Sequence, residues 1–275
     1  MQSHNPAAPQ SFDSDDQQQR ENVNYVLPNI DLNHWKVTIP VGNPSEVHPP
    51  EILDYAQNES LQEFMYNDSI DGSLVFYTYP GSSTPNSSYS RTELREQMIP
   101  GNDQTNWTFS QGGQMKGQLK MDDISTDANG KFHRAIIMQI HGRLTNKQRD
   151  LIKEDDNNAP PILKIYWNNK KVRVLRKVLK DINIDDVSIL TTGAWTDEGH
   201  WFSQEVGFDK FELEIIVSDD RMEVILNGQE SLVFDDIHMT KWGVFENYFK
   251  AGNYLVTNDE GAFSRVKYYS LEVSH

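Results

Sequence analysis

KFELEIIVSDDRMEVILNGQESLVFD, residues 210–235, is the stretch that sets the fold class. It holds three short segments of alternating apolar and polar residues, KFELEIIVS (210–218), RMEVILN (221–227) and SLVFD (231–235). Successive side chains of a strand point to opposite faces, so each segment reads as a strand with one buried face. Asn227-Gly228, lying between two of the segments, is a hairpin signal, because both residues tolerate the positive φ of a primed two-residue turn. Working outward, the same texture recurs in WKVTIPV (35–41), GSLVFYTY (72–79), SRTELREQM (90–98), GQMKGQLKM (113–121) and FHRAIIMQIHGR (132–143). It continues in ILKIYW (162–167), KVRVLRKV (171–178), YFKAGNYLV (248–256) and SRVKYYSLEV (264–273). Strands spread over the whole chain and punctuated by Gly, Pro, Asn and Asp predict an all-β protein, a jelly-roll sandwich of two antiparallel sheets. Helices are expected to be few and short. PEILDYAQNESLQEFM (50–65) is one candidate, and TNKQRDLIKED (145–155), opened by Thr145 as N-cap, is the other.

Composition narrows the function classes. The chain has 275 residues, no cysteine, and 25 basic against 41 acidic side chains, a net charge of −16. An acidic surface is wrong for nucleic acid, which needs a basic one. Without cysteine there is no disulfide scaffold, thiolate chemistry or Cys-ligated metal. No apolar run reaches the ~18 residues of a membrane span, and no signal-peptide apolar segment opens the sequence. Residues 1–22 are polar and carry a single large apolar side chain, Phe12, so they are expected to be a disordered leader or linker. Residues 23–275 are expected to form one domain. DDISTDANG (122–130) is acidic but lacks the spacing and closing glutamate of a calcium loop, and reads as a solvated turn. No metal site or cofactor is expected.

Three strands carry polar side chains on one face. In SRTELREQM, Arg91, Glu93, Arg95 and Gln97 point one way and Thr92, Leu94, Glu96 and Met98 the other. In FHRAIIMQIHGR, alternation assigns Ile136, Met138 and Ile140 to the core, and Ile137, Gln139, His141 and Arg143 to the opposite face. In YFKAGNYLV, Tyr248, Lys250, Gly252 and Tyr254 share a face, and Gly252 leaves room for a close approach. Each row alone reads equally well as a solvated, salt-bridged sheet surface. Side by side they would build a locally basic floor on an acidic protein, which suits an anionic ligand.

SRTELRE, QIH and YFKAGNY, in this order over residues 91–254, resemble the three signature segments of the alginate lyases of polysaccharide lyase family 7. The resemblance implies a β-jelly roll with a concave substrate groove. It also implies cleavage of 1,4-linked uronate polymer by β-elimination to 4,5-unsaturated oligosaccharides, with no obligatory cofactor. Carried over position by position, the catalytic set is Arg91, Gln139, His141 and Tyr254. Glu93, Arg95, Arg143, Tyr248 and Lys250 would orient that set or bind substrate. Arg91 and Gln139 would offset the uronate carboxylate, His141 and Tyr254 would serve as base, and Tyr254 as acid. Isoleucine in QIH implies acceptance of guluronate-containing blocks. The last segment departs from the family's usual YFKAGVYNQ, with Asn253 for the valine and Val256 for the glutamine, so contacts near that end are less secure than the chemistry.

The implied partner is therefore an acidic polysaccharide, alginate, met by a monomer that is secreted or held at the cell surface or in the periplasm, its export signal absent from this sequence. LTNKQRDLIKEDDNNAPP (144–161) is long for a sandwich connection and is expected to shape one end of the groove. Three other readings remain open: a lyase on another polyuronate such as glucuronan, a non-catalytic carbohydrate-binding sandwich, and a glycoside hydrolase. The last would need two paired carboxylates, which none of the polar faces supplies.

Overall fold

The computed structural model describes residues 28–83 and 87–275, so the leader expected over residues 1–22 lies outside the described residues. The strands are β1 (Trp35–Ile39), β2 (Ser45–Val47), β3 (Met65–Asn67), β4 (Leu74–Thr78), β5 (Arg91–Glu96), β6 (Gly113–Ile124), β7 (Arg134–Arg143) and β8 (Asn158–Asn168). They continue with β9 (Lys171–Leu179), β10 (Trp195–Glu205), β11 (Phe211–Ser218), β12 (Arg221–Leu226), β13 (Glu230–Phe234), β14 (Glu246–Leu255) and β15 (Ser264–Ser274). Two helices, α1 (Asn146–Ile152) and α2 (Ile237–Trp242), complete the regular structure. One sheet runs β10-β9-β8-β7-β14-β5-β1-β2 and the other β13-β12-β11-β6-β15-β4-β3. This is the two-sheet antiparallel jelly roll that the alternation predicts.

Every segment expected to be a strand is one. The alternation is visible in burial: in β11, Phe211, Leu213, Ile215 and Val217 are buried against the first sheet, and Glu212, Glu214 and Ile216 are not. Asn227 (φ 52°) and Gly228 (φ 63°) form the expected turn between β12 and β13, closed by the Gln229 N–H donating to the Leu226 carbonyl at 3.1 Å. The short β2 and β3 and the edge strand β10 escape the sequence reading. In β10, WTDEGHWFSQE, polar residues and a glycine dilute any apolar period, because most of an edge strand's surface meets water.

The expected helix over 50–65 does not form. Glu51–Asp54 makes one 3₁₀ turn, further turns follow, and Met65 already belongs to β3. The apolar spacing is real, since Ile52, Tyr55, Leu61 and Phe64 are buried. However, the Asn58 side chain accepts the Ser60 N–H at 3.1 Å, a local bond that competes with a continuous helical ladder. The second expectation holds. Thr145 caps α1 in a capping box, its hydroxyl accepting the Gln148 N–H.

Two β-bulges decide what faces the concave surface. In β7 the pairing slips between Ile136 and Met138, so Ile137 joins the core and Ile136 faces the groove. Strict alternation had exchanged these two. In β14 the pairing with β7 slips between Ala251 and Tyr254, where Gly252 adopts φ 136°. The close approach at Gly252 is made by backbone: a Cβ there would lie 2.7 Å from the Thr92 carbonyl oxygen of β5. Both bulges are pinned from the opposite sheet by the buried hydroxyl of Tyr268, which donates to the Ile137 carbonyl at 2.5 Å and accepts the Gly252 N–H at 3.2 Å. Tyr268→Phe leaves both groups buried and unpaired, at about 1–3 kcal/mol per group. Urea unfolding is expected to show that loss at unchanged m-value; a midpoint equal to wild type would show that the bulges hold without it.

Candidate active site

β7, β14 and β5 are adjacent in the first sheet, so the three polar rows meet. Cross-strand partners run Lys36–Arg95–Lys250–Gln139–Lys164 along one line and Arg91–Tyr254–Ile136–Tyr166 along a second, with Tyr248 opposite His141. The groove above them has two lobes, of about 340 and 410 Å³, which share Arg91, His141 and Lys250. Gln139 and Tyr254 line the larger lobe, and Arg95, Arg143 and Tyr248 the other. Asp156, Asn157 and Asn158, from the connection after β7, wall the second lobe, as the length of that connection suggested.

Glu93 is the hub. It is 1% exposed, ion-paired to Lys250, and accepts from the Gln139 amide at 2.5 Å; Arg91 Nη1 lies 3.8 Å from its carboxylate. This fixes the Gln139 side chain with its amide NH₂ on the Glu93 carboxylate, while the Nε of Arg91 has no hydrogen-bond partner among the described residues. Burial and Arg91 lower the Lys250 pKa to about 8 against the opposing pull of Glu93.

His141 lies face to face with Tyr248, ring centroids 5.2 Å apart, and the Arg95 guanidinium covers Tyr248 at 4.1 Å. Arg95 spends its donors on protein: the Glu96 and Asp103 carbonyls, the Asn106 side chain and the Asp103 carboxylate. It therefore orients the stack. Arg143 is likewise held, by Glu246 and Gln104, each at 2.5 Å. The His141 Nδ1 sits 2.9 Å from the Gly142 carbonyl, which places the proton on Nδ1 and leaves Nε2 as the basic nitrogen. Burial, then the cations Lys250, Arg91 and Arg95, push its pKa down to about 3.

Tyr254 lies beneath Arg91, whose guanidinium is 5.3 Å from the ring. Burial raises its pKa above the ordinary phenol value and outweighs the opposing pull of Arg91. The phenol keeps its proton.

Of the departures from the family motif, Asn253 and Val256 fall on opposite sides of the sheet. Asn253 is buried and donates to the Phe76 and Ser264 carbonyls of the second sheet, so it joins the layers and does not touch the groove. Val256 lines the larger lobe. Ile140, the middle residue of QIH, is fully buried in the core, so it acts on the groove only through Gln139 and His141 on either side.

Sequence reasoning missed Lys36, Arg134, Lys164, Tyr166 and Asp197, which complete the floor and walls. Arg134 opens β7 ahead of its motif, and the strands of the other four carry none, so only pairing brings those four beside the rows above. A larger hollow of about 490 Å³ lies elsewhere, but Asp31, Glu96 and Glu272 line it, the wrong charge for a polyanion. Among the described residues no group of three His, Asp or Glu side chains is arranged to hold a metal ion, and no helix is long and apolar enough to cross a membrane.

Fold and groove together define a jelly-roll protein whose concave sheet carries a cationic cleft flanked by a neutral imidazole and a phenol. The family model described as alginate lyase matches residues 30–275, and the chain belongs to that family, the alginate lyases of polysaccharide lyase family 7. It is a polysaccharide lyase. Among solved structures, alginate lyase A1-II′, a member of family 7, is 30% identical with a TM-score of 0.72, covering 90% of this chain and 96% of that one. A substituted form of A1-II′ in complex with product (GGG) is 30% identical over 90% and 97% of the two chains, with a TM-score of 0.71. An alginate lyase of Pseudomonas aeruginosa, 23% identical over 90% of this chain and 100% of its own with a TM-score of 0.66, shares the fold. No match is found among curated protein sequences.

Proposed function

We propose that this groove cleaves alginate by β-elimination, with Arg91 and Gln139 offsetting the uronate carboxylate, His141 as base and Tyr254 as acid. The C5 proton is too weakly acidic while the carboxylate keeps its charge, because its removal would leave a dianion. Donors preorganised at that developing charge are worth roughly 2.7–4 kcal/mol each. His141 Nε2 takes the C5 proton, the C4–O bond breaks, the leaving oxygen receives the Tyr254 phenol proton, and a C4=C5 double bond remains in conjugation with the carboxylate. The observation that carries this reading is the convergence of the four side chains from three adjacent strands on one groove, around the buried Glu93.

The proton positions also support a lean toward guluronate-containing blocks. Guluronate presents its C5 proton on the face opposite to mannuronate's, and the neutral His141 is ready to take it. Mannuronate would call on Tyr254 as base, and its raised pKa disfavours the phenolate. Near-ultraviolet absorbance on a panel of guluronate, mannuronate and alternating blocks tests both points, since only elimination creates the conjugated double bond. The expected order is fastest on guluronate-containing blocks; no rise on any alginate block, with a rise on glucuronan, would overturn the substrate. The size of early products tells the cleavage mode: ladders of intermediate oligomers mean internal cleavage, and only small products mean attack from an end. The polymeric substrate lies outside the cytoplasm, so the enzyme works exported or at the cell surface.

The pH profile is a further check. With its pKa near 3, His141 is a free base throughout the neutral range. The acid limb of kcat/KM, which reports the free enzyme, is therefore expected well below pH 6.5, the ordinary imidazole value. A limb at 6.5 would remove His141 from the role of buried base. The same shift works against stability: between pH 6.5 and about 3 the unfolded chain binds the proton that native His141 refuses, so stability falls as pH drops through that window.

A further inference from the structure

Beyond the catalytic rows, the line Arg91–Tyr254–Ile136–Tyr166 continues through Arg173 of β9 to Trp201 of the edge strand β10, each residue the direct cross-strand partner of the last. We propose that Arg173 and Trp201 form a distal subsite for one uronate residue of the bound polymer, remote from the bond that breaks. This rests on the reading of the groove as the seat of a polyuronate chain.

Three observations point to a ligand of that chemistry. Trp201 is 48% exposed, whereas Trp35, Trp107, Trp167, Trp195 and Trp242 are buried, so a large apolar ring is left on the groove face where a sugar ring can stack. The Arg173 guanidinium lies 5.2 Å from that ring. Among the described residues no carboxylate lies within ion-pair distance of Arg173, and its Nε has no hydrogen-bond partner. In contrast, Arg95, Arg143 and Arg176 are all committed to protein carboxylates. A guanidinium without a protein acid is suited to the carboxylate that every alginate residue carries. Gly199 keeps the place open, since a Cβ there would sit 2.8 Å from Arg173 Nη2. Arg134, over the Tyr166 ring at 5.5 Å, repeats the cation–aromatic pairing one step closer to the centre.

Tyr254 and Trp201 stand four strand steps apart along this line. Strands are spaced by about 4.8 Å, close to the advance of one pyranose unit along a 1,4-linked chain, so roughly four sugar residues separate subsite from scissile bond. Only oligomers long enough to span that interval can use it.

The experiment compares wild type, Trp201→Ala and Arg173→Ala on purified oligoguluronates from trimer to octamer, by absorbance. Wild-type kcat/KM is expected to climb with length, and each variant to lose about 3- to 30-fold of that climb on the octamer, as befits a cation–aromatic contact. Protection of tryptophan fluorescence from acrylamide by the octamer, measured on the Tyr254→Phe background, gives a second readout because Trp201 is the accessible ring. Equal loss at every length, or no protection by octamer, would overturn the subsite. Failure of wild type to eliminate on any length would instead overturn the underlying reading, so the two failures are distinct.

Discussion

Tyr254→Phe is expected to lower kcat on guluronate and mannuronate blocks alike by about 10²–10⁴-fold, the usual worth of a positioned general acid, while substrate binding stays within a factor of a few. The ring that packs beneath Arg91 is retained in phenylalanine, so the guanidinium keeps its place. What goes is the proton for the leaving oxygen. Burial holds that proton on the phenol in the free enzyme, so wild type offers it at any working pH. Steady-state rates by absorbance, with binding measured separately by calorimetry, separate the two effects. A variant that turns over at more than a tenth of the wild-type rate would remove Tyr254 from the acid role.

Glu93→Gln is expected to be the most damaging change for stability in the groove. The substitution keeps the shape of the side chain and removes the buried negative charge that, among the described residues, compensates Lys250 and Arg91. Breaking a buried pair by removing one partner typically costs 3–5 kcal/mol. For a domain of this size that corresponds to a fall in Tm on the order of 10 °C. Lys250, with its pKa already down at about 8, can shed its proton and cap the loss, so the deficit should grow as pH falls. Activity should fall as well, because the amide of Gln139 is no longer held on a carboxylate. Adding Lys250→Met should return most of the stability and little of the activity. Thermal unfolding of the single and double variants between pH 6 and 9 checks this; a single variant as stable as wild type at pH 6 would show that Glu93 does not carry the compensation assigned to it.

The motifs named side chains that the fold brings to one groove, but not their states there. Alternation in SRTELRE puts Arg91, Glu93 and Arg95 on one face, and they lie there. It could not say that Arg95 is consumed by Asp103, Asn106 and the Glu96 carbonyl, partners supplied by the end of β5 and the chain beyond it, or that it grips Tyr248. His141 is visible as a lone imidazole among polar neighbours. Its depressed pKa arises from Lys250 on β14 and Arg91 and Arg95 on β5, charges distant in sequence. Ile136 and Ile137 were exchanged because a bulge adds one residue to a strand without altering its composition, and a period of two carries no mark of the slip.

By itself, then, the order of residues determined the β-sandwich and the candidate groups for the site, because a strand's alternation and a short motif are local properties fixed by covalent sequence and pleat geometry. Only the tertiary structure decided which strands neighbour which, where the bulges turn side chains over, and how burial and remote cations set each proton. Those are sums over groups far apart in the chain. The row ending in Arg173 and Trp201 belongs to this second kind: nothing joins those residues to Arg91 and Tyr254 until the sheet pairs them across four strand spacings.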